Sequence, residues 1–127
     1  MGREVRISDA EWDVMEAVWG SGSATAADVI DGLAGRREWN QSTIRTMLAR
    51  LVEKGALRYE VDGPRYIYRA AVTRRRCVRD ESRSFLERVF GGDVGSLLVH
   101  YVRESKVEPK DLENLRRLLD EKLKEKE

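Results

Sequence analysis

The sequence has few of the side chains that most enzyme and metal sites require. Cys77 is its only cysteine and His100 its only histidine among 127 residues. A single thiol excludes a disulfide within one chain and a thiolate cluster around zinc or copper. One histidine and one cysteine also give no convincing Ser-His-Asp or Cys-His pair. We therefore expect no catalytic activity, no metal site and no cofactor.

Each of these two scarce residues allows a second interpretation. Cys77 lies within Arg-Arg-Arg-Cys-Val-Arg, where positive charge could lower the pKa of a thiol and make it reactive. We favour a small residue on the apolar face of a helix. His100 has no second ligand nearby in the sequence, so we expect a packing or interface role for it rather than metal binding.

Long apolar runs are also missing. No segment approaches the roughly 20 apolar residues that a membrane-spanning helix needs. The chain begins with MGREVRISDAEW, which has no apolar region of the kind found in signal peptides. We therefore expect a cytoplasmic protein without a membrane partner.

The net charge of +1 hides an uneven distribution. Residues 1–40 carry a net charge of −4 and residues 80–127 a net charge of −2, whereas residues 41–79 carry +7. A basic block between two acidic ones is typical of a surface that binds a polyanion. The alternative, a solvated basic face without a partner, fits the charge alone equally well.

Apolar periodicity predicts three helices, a hairpin and three further helices. Ser8 and Glu11 have the spacing of a capping box, and Thr25 can cap a second helix that ends at Gly35. Asn40 is a strong N-cap for the third helix. The alternation of Leu57, Tyr59 and Val61 with charged residues, and then the turn at 62–65, predicts the hairpin. The fold class is therefore mainly α with a small β-hairpin.

The third predicted helix has an unusual outer face. Five apolar residues recur at helical spacing and should be buried: Ile44, Met47, Leu48, Leu51 and Val52. That leaves short hydroxylated residues and arginine pointing outward, with Arg45 at the flank: Ser42, Thr43, Thr46 and Arg50. A slim helix fits a DNA major groove about 12 Å wide, where such side chains hydrogen-bond to bases or phosphates. A plain surface helix is the alternative.

The predicted hairpin supplies a second candidate contact. Its compact Gly-Pro turn places Arg65 at the tip. An arginine on a rigid loop suits a minor groove, whose negative potential is strongest over narrow A·T tracts. A solvated turn residue is the alternative.

Three stretches of the sequence resemble one known family closely. They are EWDVMEAVW, WNQSTIRTMLARLVEKGAL and RYIYRA, and together they resemble the penicillinase-repressor family, also known as the BlaI/MecI/CopY type. The resemblance runs from Ile7 to about Leu119. It implies a winged helix-turn-helix repressor that binds a dyad-symmetric DNA operator as a homodimer.

The resemblance also implies roles for individual residues. The family's recognition-helix positions match Ser42, Thr43, Thr46 and Arg50, and its wing matches Arg65. Many members begin this helix with Ser-Pro-Lys, whereas this chain has Asn40-Gln41-Ser42, so the lysine contact stays open at Ser42. The copper-responsive branch has a cysteine-rich C-terminal metal motif, which LDEKLKEKE lacks.

The C-terminal half is expected to form the dimer. We predict a winged-helix domain over residues 1–72 and a helical dimerisation domain over 73–127. ESRSFLERVFGGDVGSLL resembles the family's dimerisation region, and in the family a regulatory protease cleaves the C-terminal domain in response to β-lactams. The apolar stripes of these helices give the candidate dimer residues: Phe85, Leu86, Leu97, Leu98, Tyr101, Leu112, Leu115 and Leu119.

Two alternatives remain at this point. The leucine stripe after Pro109 could cap a monomeric core instead of forming a dimer seam. A winged helix can also serve as a protein–protein interaction module without sequence-specific DNA binding. That module would not need an outer face of hydroxyl groups and arginine.

Overall fold

Six α-helices and one β-hairpin follow one another through residues 5–34 and 39–126, the parts of the chain that the computed structural model describes. The order predicted from periodicity is confirmed, and so is the mainly α fold with one hairpin. The elements are α1 (Asp9–Ser21), α2 (Ala26–Leu33), α3 (Gln41–Glu53), β1 (Leu57–Asp62), β2 (Arg65–Ala70), α4 (Arg74–Phe90), α5 (Val94–Glu104) and α6 (Pro109–Glu125).

Side-chain caps fix where the first helices begin. Ser8 Oγ accepts a hydrogen bond from the Glu11 amide at 3.1 Å, and Glu11 Oε1 accepts one from the Ser8 amide at 2.9 Å. Thr25 and Asp28 form the same reciprocal pair at the start of α2. Both predicted caps are confirmed. The predicted stop at Gly35 and the loop after it at 36–38 lie outside the described residues.

The hairpin is antiparallel and closes through a two-residue turn. Asp62 pairs with Arg65, so Gly63 and Pro64 form the turn, and Gly63 adopts a positive φ of 61° that suits glycine. Farther from the turn, Tyr59 faces Tyr68. Ala24 and Tyr68 exchange two backbone hydrogen bonds of 3.0 and 2.8 Å, which hold the base of the hairpin against the loop between α1 and α2.

The core lies among α1, α2, α3 and the base of the hairpin. Its largest fully buried side chains are Met15, Ile44, Leu48, Leu51, Val14, Val18, Val29 and Cys77. Helix α3 contributes every residue of its predicted apolar stripe, with Val52 half-buried. The orientation of α3 therefore follows from the burial of this stripe.

Helix α4 joins two compact units. The first unit ends at Ser84 and the second begins at Phe85. The start of α4 belongs to the first unit, where the Asp80 carboxylate accepts a hydrogen bond from the Val5 amide and the Glu81 carboxylate accepts one from the Ile7 amide. The domain boundary near residue 72 stays a prediction.

The second unit has little core of its own. No residue of α5 or α6 is buried, although both helices carry apolar stripes. Asp93 caps α5 by accepting from the Ser96 amide at 3.1 Å, and Pro109 opens α6 as predicted. No helix in the described ranges has the length and apolar character to cross a membrane.

An ion pair between the buried Glu11 and the exposed Lys54 connects α1 to the end of α3. Glu11, which is only 3% exposed, accepts a hydrogen bond from Lys54 Nζ at 2.5 Å as well as from Ser8. Burial raises the pKa of the Glu11 carboxyl, but the hydrogen bonds from Lys54 and Ser8 outweigh it and bring the pKa below its ordinary value of 4.5. A lowered pKa in the folded state means that ionised Glu11 stabilises the fold.

We expect Glu11→Gln to lower the free energy of unfolding by about 1–3 kcal/mol at pH 7, because the amide keeps the shape but loses the charge that faces Lys54. The stabilisation by Glu11 is fully present above pH 4.5 and is lost as the pH falls through the lowered pKa, so the difference should shrink in acid. Urea unfolding followed by tryptophan fluorescence, at pH 7 and in acid, measures the difference in free energy of unfolding between the variant and the wild type. Glu16→Gln, which breaks the exposed pair of Glu16 with Arg74, is the control, with an expected cost below about 1 kcal/mol. Equal losses for the two variants would contradict the prediction.

Candidate nucleic-acid interface

Helix α3 presents the predicted outer face to solvent. Asn40 Oδ1 caps it by accepting from the Thr43 amide at 2.8 Å. All of the predicted DNA-binding residues on this helix are exposed: Ser42, Thr43, Arg45, Thr46 and Arg50. The apolar stripe on the opposite side is buried, so a contact with these side chains does not disturb the core. Their roles in binding stay predictions.

The two threonine hydroxyl groups on this face already donate hydrogen bonds. Thr43 Oγ1 donates to Asn40 Oδ1 at 3.0 Å, and Thr46 Oγ1 donates to the Ser42 carbonyl at 2.9 Å. Phosphate oxygens only accept hydrogen bonds, so a phosphate contact would first require either hydroxyl to turn away. In this arrangement the hydroxyl lone pairs can accept from a base amino group, and the methyl groups can contact a thymine methyl.

The arginines of α3 lie on opposite flanks of its exposed face. Arg45 and Arg50 are five residues apart, which places them roughly 140° apart around the helix axis. Burial of the ring raises the pKa of the Tyr68 phenol, and the positive charge of Arg45 partly offsets that rise. Arg45 is therefore on the flank of α3 nearer the hairpin. No carboxylate among the described residues pairs with Arg50.

The hairpin extends from the core beside this helix, with Arg65 at its tip. The Arg65 side chain is 64% exposed, and its guanidinium lies 3.4 Å from the Asp62 carboxylate across the turn. Hydrogen bonds from Thr25 lower the pKa of the Asp28 carboxyl, and the charge of Arg65 adds a smaller lowering effect. Arg65 is therefore accessible, as predicted, and the Asp62 carboxylate already pairs with its guanidinium.

Three tyrosines on the hairpin were not among the binding residues predicted from the sequence. Tyr59 and Tyr66 are stacked with their ring centroids 4.7 Å apart, and the Tyr68 ring lies 6.2 Å from that of Tyr59. We refer to Tyr59, Tyr66 and Tyr68 as the tyrosine ladder. The signal was present in the sequence, because a two-residue turn fixes the register that brings all three to one face.

The scarce side chains form no second site. Burial raises the pKa of the Cys77 thiol, and the nearby Asp80 carboxylate adds to that rise, so the reactive-thiolate alternative is wrong. His100 packs against the rings of Phe90 and Tyr101 at 5.8 and 5.4 Å. Within residues 5–34 and 39–126, no group of three or more histidine, cysteine, aspartate or glutamate residues is placed to hold a metal ion.

The predicted dimer residues lie in the second unit and are only partly covered. Leu98, Tyr101, Leu112 and Leu119 are 38–45% exposed, and Phe85, Leu86, Leu97 and Leu115 are half-buried. A groove of about 340 Å³ runs between α5 and α6, lined by Leu98, Val99, Val102, Arg103, Leu115 and Leu119. Their part in a dimer stays a prediction.

Comparisons with known proteins agree with this architecture. The chain is 31% identical over 116 residues to the penicillinase repressor of Bacillus licheniformis, covering 91% of each chain. It is also 31% identical over 116 residues to the methicillin resistance regulatory protein MecI of Mammaliicoccus sciuri, covering 91% of this chain and 94% of MecI. The solution structure of Bacillus licheniformis BlaI with the blaP half-operator matches with 36% identity and a TM-score of 0.52, over 60% of this chain and 93% of BlaI.

Three helices followed by a hairpin, with the third helix exposed along one face, define a winged-helix protein. Residues 7–121 match the family described as penicillinase repressor. The chain belongs to the penicillinase repressor family, as its motifs predict. In the terms of that fold, α3 is the recognition helix and the hairpin of β1 and β2 is the wing.

Proposed function

We propose that the protein is a transcriptional repressor that binds a dyad-symmetric DNA operator as a homodimer. The observation that carries the proposal is the exposed face of α3, which combines short hydroxylated side chains with arginine opposite an apolar stripe that packs into the core. Family membership supports it, because relatives are named as repressors and BlaI was solved with a half-operator. The proposal gives the chain no catalytic role.

In this proposal α3 enters the major groove. Ser42, Thr43 and Thr46 are small enough to allow the helix close to the base edges, and the free charge of Arg50 can reach a guanine or a phosphate. Arg45 lies towards the wing and contacts the backbone. The wing then brings Arg65 to the minor groove or to the adjacent phosphates.

The second unit forms the dimer in this proposal. Its two stripes leave large apolar side chains exposed on α5 and α6, including Val94, Val102 and Leu123 at 44–65%. Many exposed apolar side chains on two neighbouring helices favour an interaction site there. A second copy of the chain would cover it and would place two recognition helices on the two half-sites of a dyad.

The proposed cellular role is control of resistance genes in the cytoplasm, where the chromosome lies. The names of the relatives, penicillinase repressor and methicillin resistance regulatory protein, support a β-lactam-type response. Release of the operator would follow cleavage of the second unit by a regulatory protease, because a monomer holds only one half-site. The support for this step is the family alone.

Salt dependence distinguishes this function from a winged helix that contacts only proteins. Operator duplexes can be selected from a random pool, and affinity measured from 50 to 200 mM salt. We expect a fall of about 10³-fold or more, because six or more phosphate contacts per dimer release counterions. Affinity that does not change with salt would favour the protein-contact alternative.

The same titration tests the competition for Arg65 at the tip of the wing. Arg65→Ala should weaken binding and make the salt slope shallower by about one unit for each phosphate that is no longer neutralised. Asp62→Asn should strengthen binding, because it frees the guanidinium and removes a carboxylate from the interface. The control is the variant that carries both Arg65→Ala and Asp62→Asn. Most of the gain in affinity from Asp62→Asn should vanish in it, because Arg65 is absent. Equal gains with and without Arg65 would contradict the idea that Asp62 acts by holding it.

A further inference from the structure

The tyrosine ladder lies on the face of the wing that begins in the core and ends in solvent. Leu57 at the base of this face is 2% exposed. Toward the tip, Tyr59 and Tyr66 are 46% and 49% exposed, and Val61 beside them is 67% exposed. The base of the face is thus part of the core, whereas about half of each ring nearer the tip is exposed to solvent.

The two outer tyrosines have polar ends that the fold does not use. Among the described residues, no group forms a hydrogen bond with the hydroxyl of Tyr59 or Tyr66. A tyrosine combines a flat apolar ring with a hydroxyl that donates and accepts. The two rings stack with their centroids 4.7 Å apart, so both side chains are packed together on one face of the wing.

Positive charge lies at the base of the ladder, where the charge of Arg45 of α3 acts on Tyr68. Arg65 directly precedes Tyr66, but the alternation of side chains along β2 places it on the opposite face of the wing, where it pairs with Asp62. An extended partner that lies along the ladder therefore meets a cation at the base and two hydroxyl donors farther out. A sugar-phosphate strand has this chemistry, with regularly spaced anionic acceptors and an apolar sugar surface.

We propose that the ladder binds the DNA strand that separates the groove read by α3 from the groove reached by Arg65. The hydroxyl groups of Tyr59 and Tyr66 donate hydrogen bonds to its phosphate oxygens, and their rings pack against deoxyribose. This inference rests on the proposed function. It adds two residues to which neither the charge pattern nor the resemblance assigned a role in binding, although Tyr66 lies within the RYIYRA motif.

Hydroxyl removal tests the proposal without disturbing the rings. Tyr59→Phe and Tyr66→Phe in the full chain should each weaken operator binding by about 3- to 10-fold. The slope of log affinity against log salt should stay the same, because a neutral hydroxyl displaces no counterion. Ile67→Val, on the opposite face of β2, is the control for the integrity of the wing and should bind like the wild type.

A methylphosphonate scan of the operator identifies the phosphates. Neutral substitution at one or two positions per half-site should weaken the wild type and have little further effect on Tyr66→Phe. Phe variants that bind like the wild type would overturn the ladder and leave the repressor function intact. A weaker affinity with a shallower salt slope would also overturn it, because displaced arginines would then be the cause. A wild type that binds no duplex would instead refute the proposed function.

Discussion

Replacing Leu98 and Leu119 with aspartate should convert the dimer to monomers and lower affinity for the full operator by about 100-fold or more. Both side chains line the groove between α5 and α6, where they are 38% and 45% exposed. A carboxylate there stays hydrated in a monomer but would be desolvated in an apolar dimer interface. Sedimentation at micromolar concentration measures assembly, and titration of whole and half operators measures binding.

The design separates loss of assembly from loss of folding. Affinity for an isolated half-operator should be unchanged, because the first unit folds around its own core. Asn114→Asp adds a single carboxylate at an exposed position of α6 that does not line the groove, and this variant should remain a dimer. A double-aspartate variant that sediments as a dimer would contradict the predicted seam, as would a monomeric wild type.

Local patterns made α3 predictable. Asn40 acts as a cap through atoms three residues away, and the apolar stripe from Ile44 to Val52 repeats every turn. Both signals lie within one helix, so the sequence alone indicates which side is buried. The exposure of Thr46 and Arg50 then follows from helical geometry.

Contacts between distant segments were not predictable in this way. Glu11 meets Lys54 only because α1 packs on the end of α3, and its capping role with Ser8 gave no indication of the ion pair. Similarly, the positive charge of the arginines around Cys77 suggested reactivity, whereas the direction of its pKa depends on burial in the core. Sequence patterns specify which face of an element is apolar, but they do not specify which other element covers it.

The hydroxyl geometry of α3 changes what the recognition helix can read. The sequence allows a base or a phosphate contact for Thr43, yet the hydrogen of its hydroxyl group already points to Asn40. Thr46 likewise donates within the helix, to the Ser42 carbonyl. Arg50, in the last turn of α3, is an exposed donor on this face that no described carboxylate pairs with. We therefore expect sequence preference to depend most on Arg50.

Arg50→Ala should weaken binding to the operator by about 1–3 kcal/mol, roughly 10- to 100-fold, and relax the preference at one base pair in each half-site. The physical reason is that a guanidinium can donate two parallel hydrogen bonds to a guanine edge. Arg50→Lys keeps the charge but loses the paired geometry, so it should not restore the preference. If Arg50 instead holds a phosphate, lysine should restore most of the affinity, and alanine should weaken all sequences uniformly with a shallower salt slope. A library of single-base operator variants decides between these outcomes.

Because Arg50 is exposed and outside the core, thermal unfolding of both variants should match the wild type. Unchanged affinity and preference for Arg50→Ala would show that α3 does not occupy the groove as proposed.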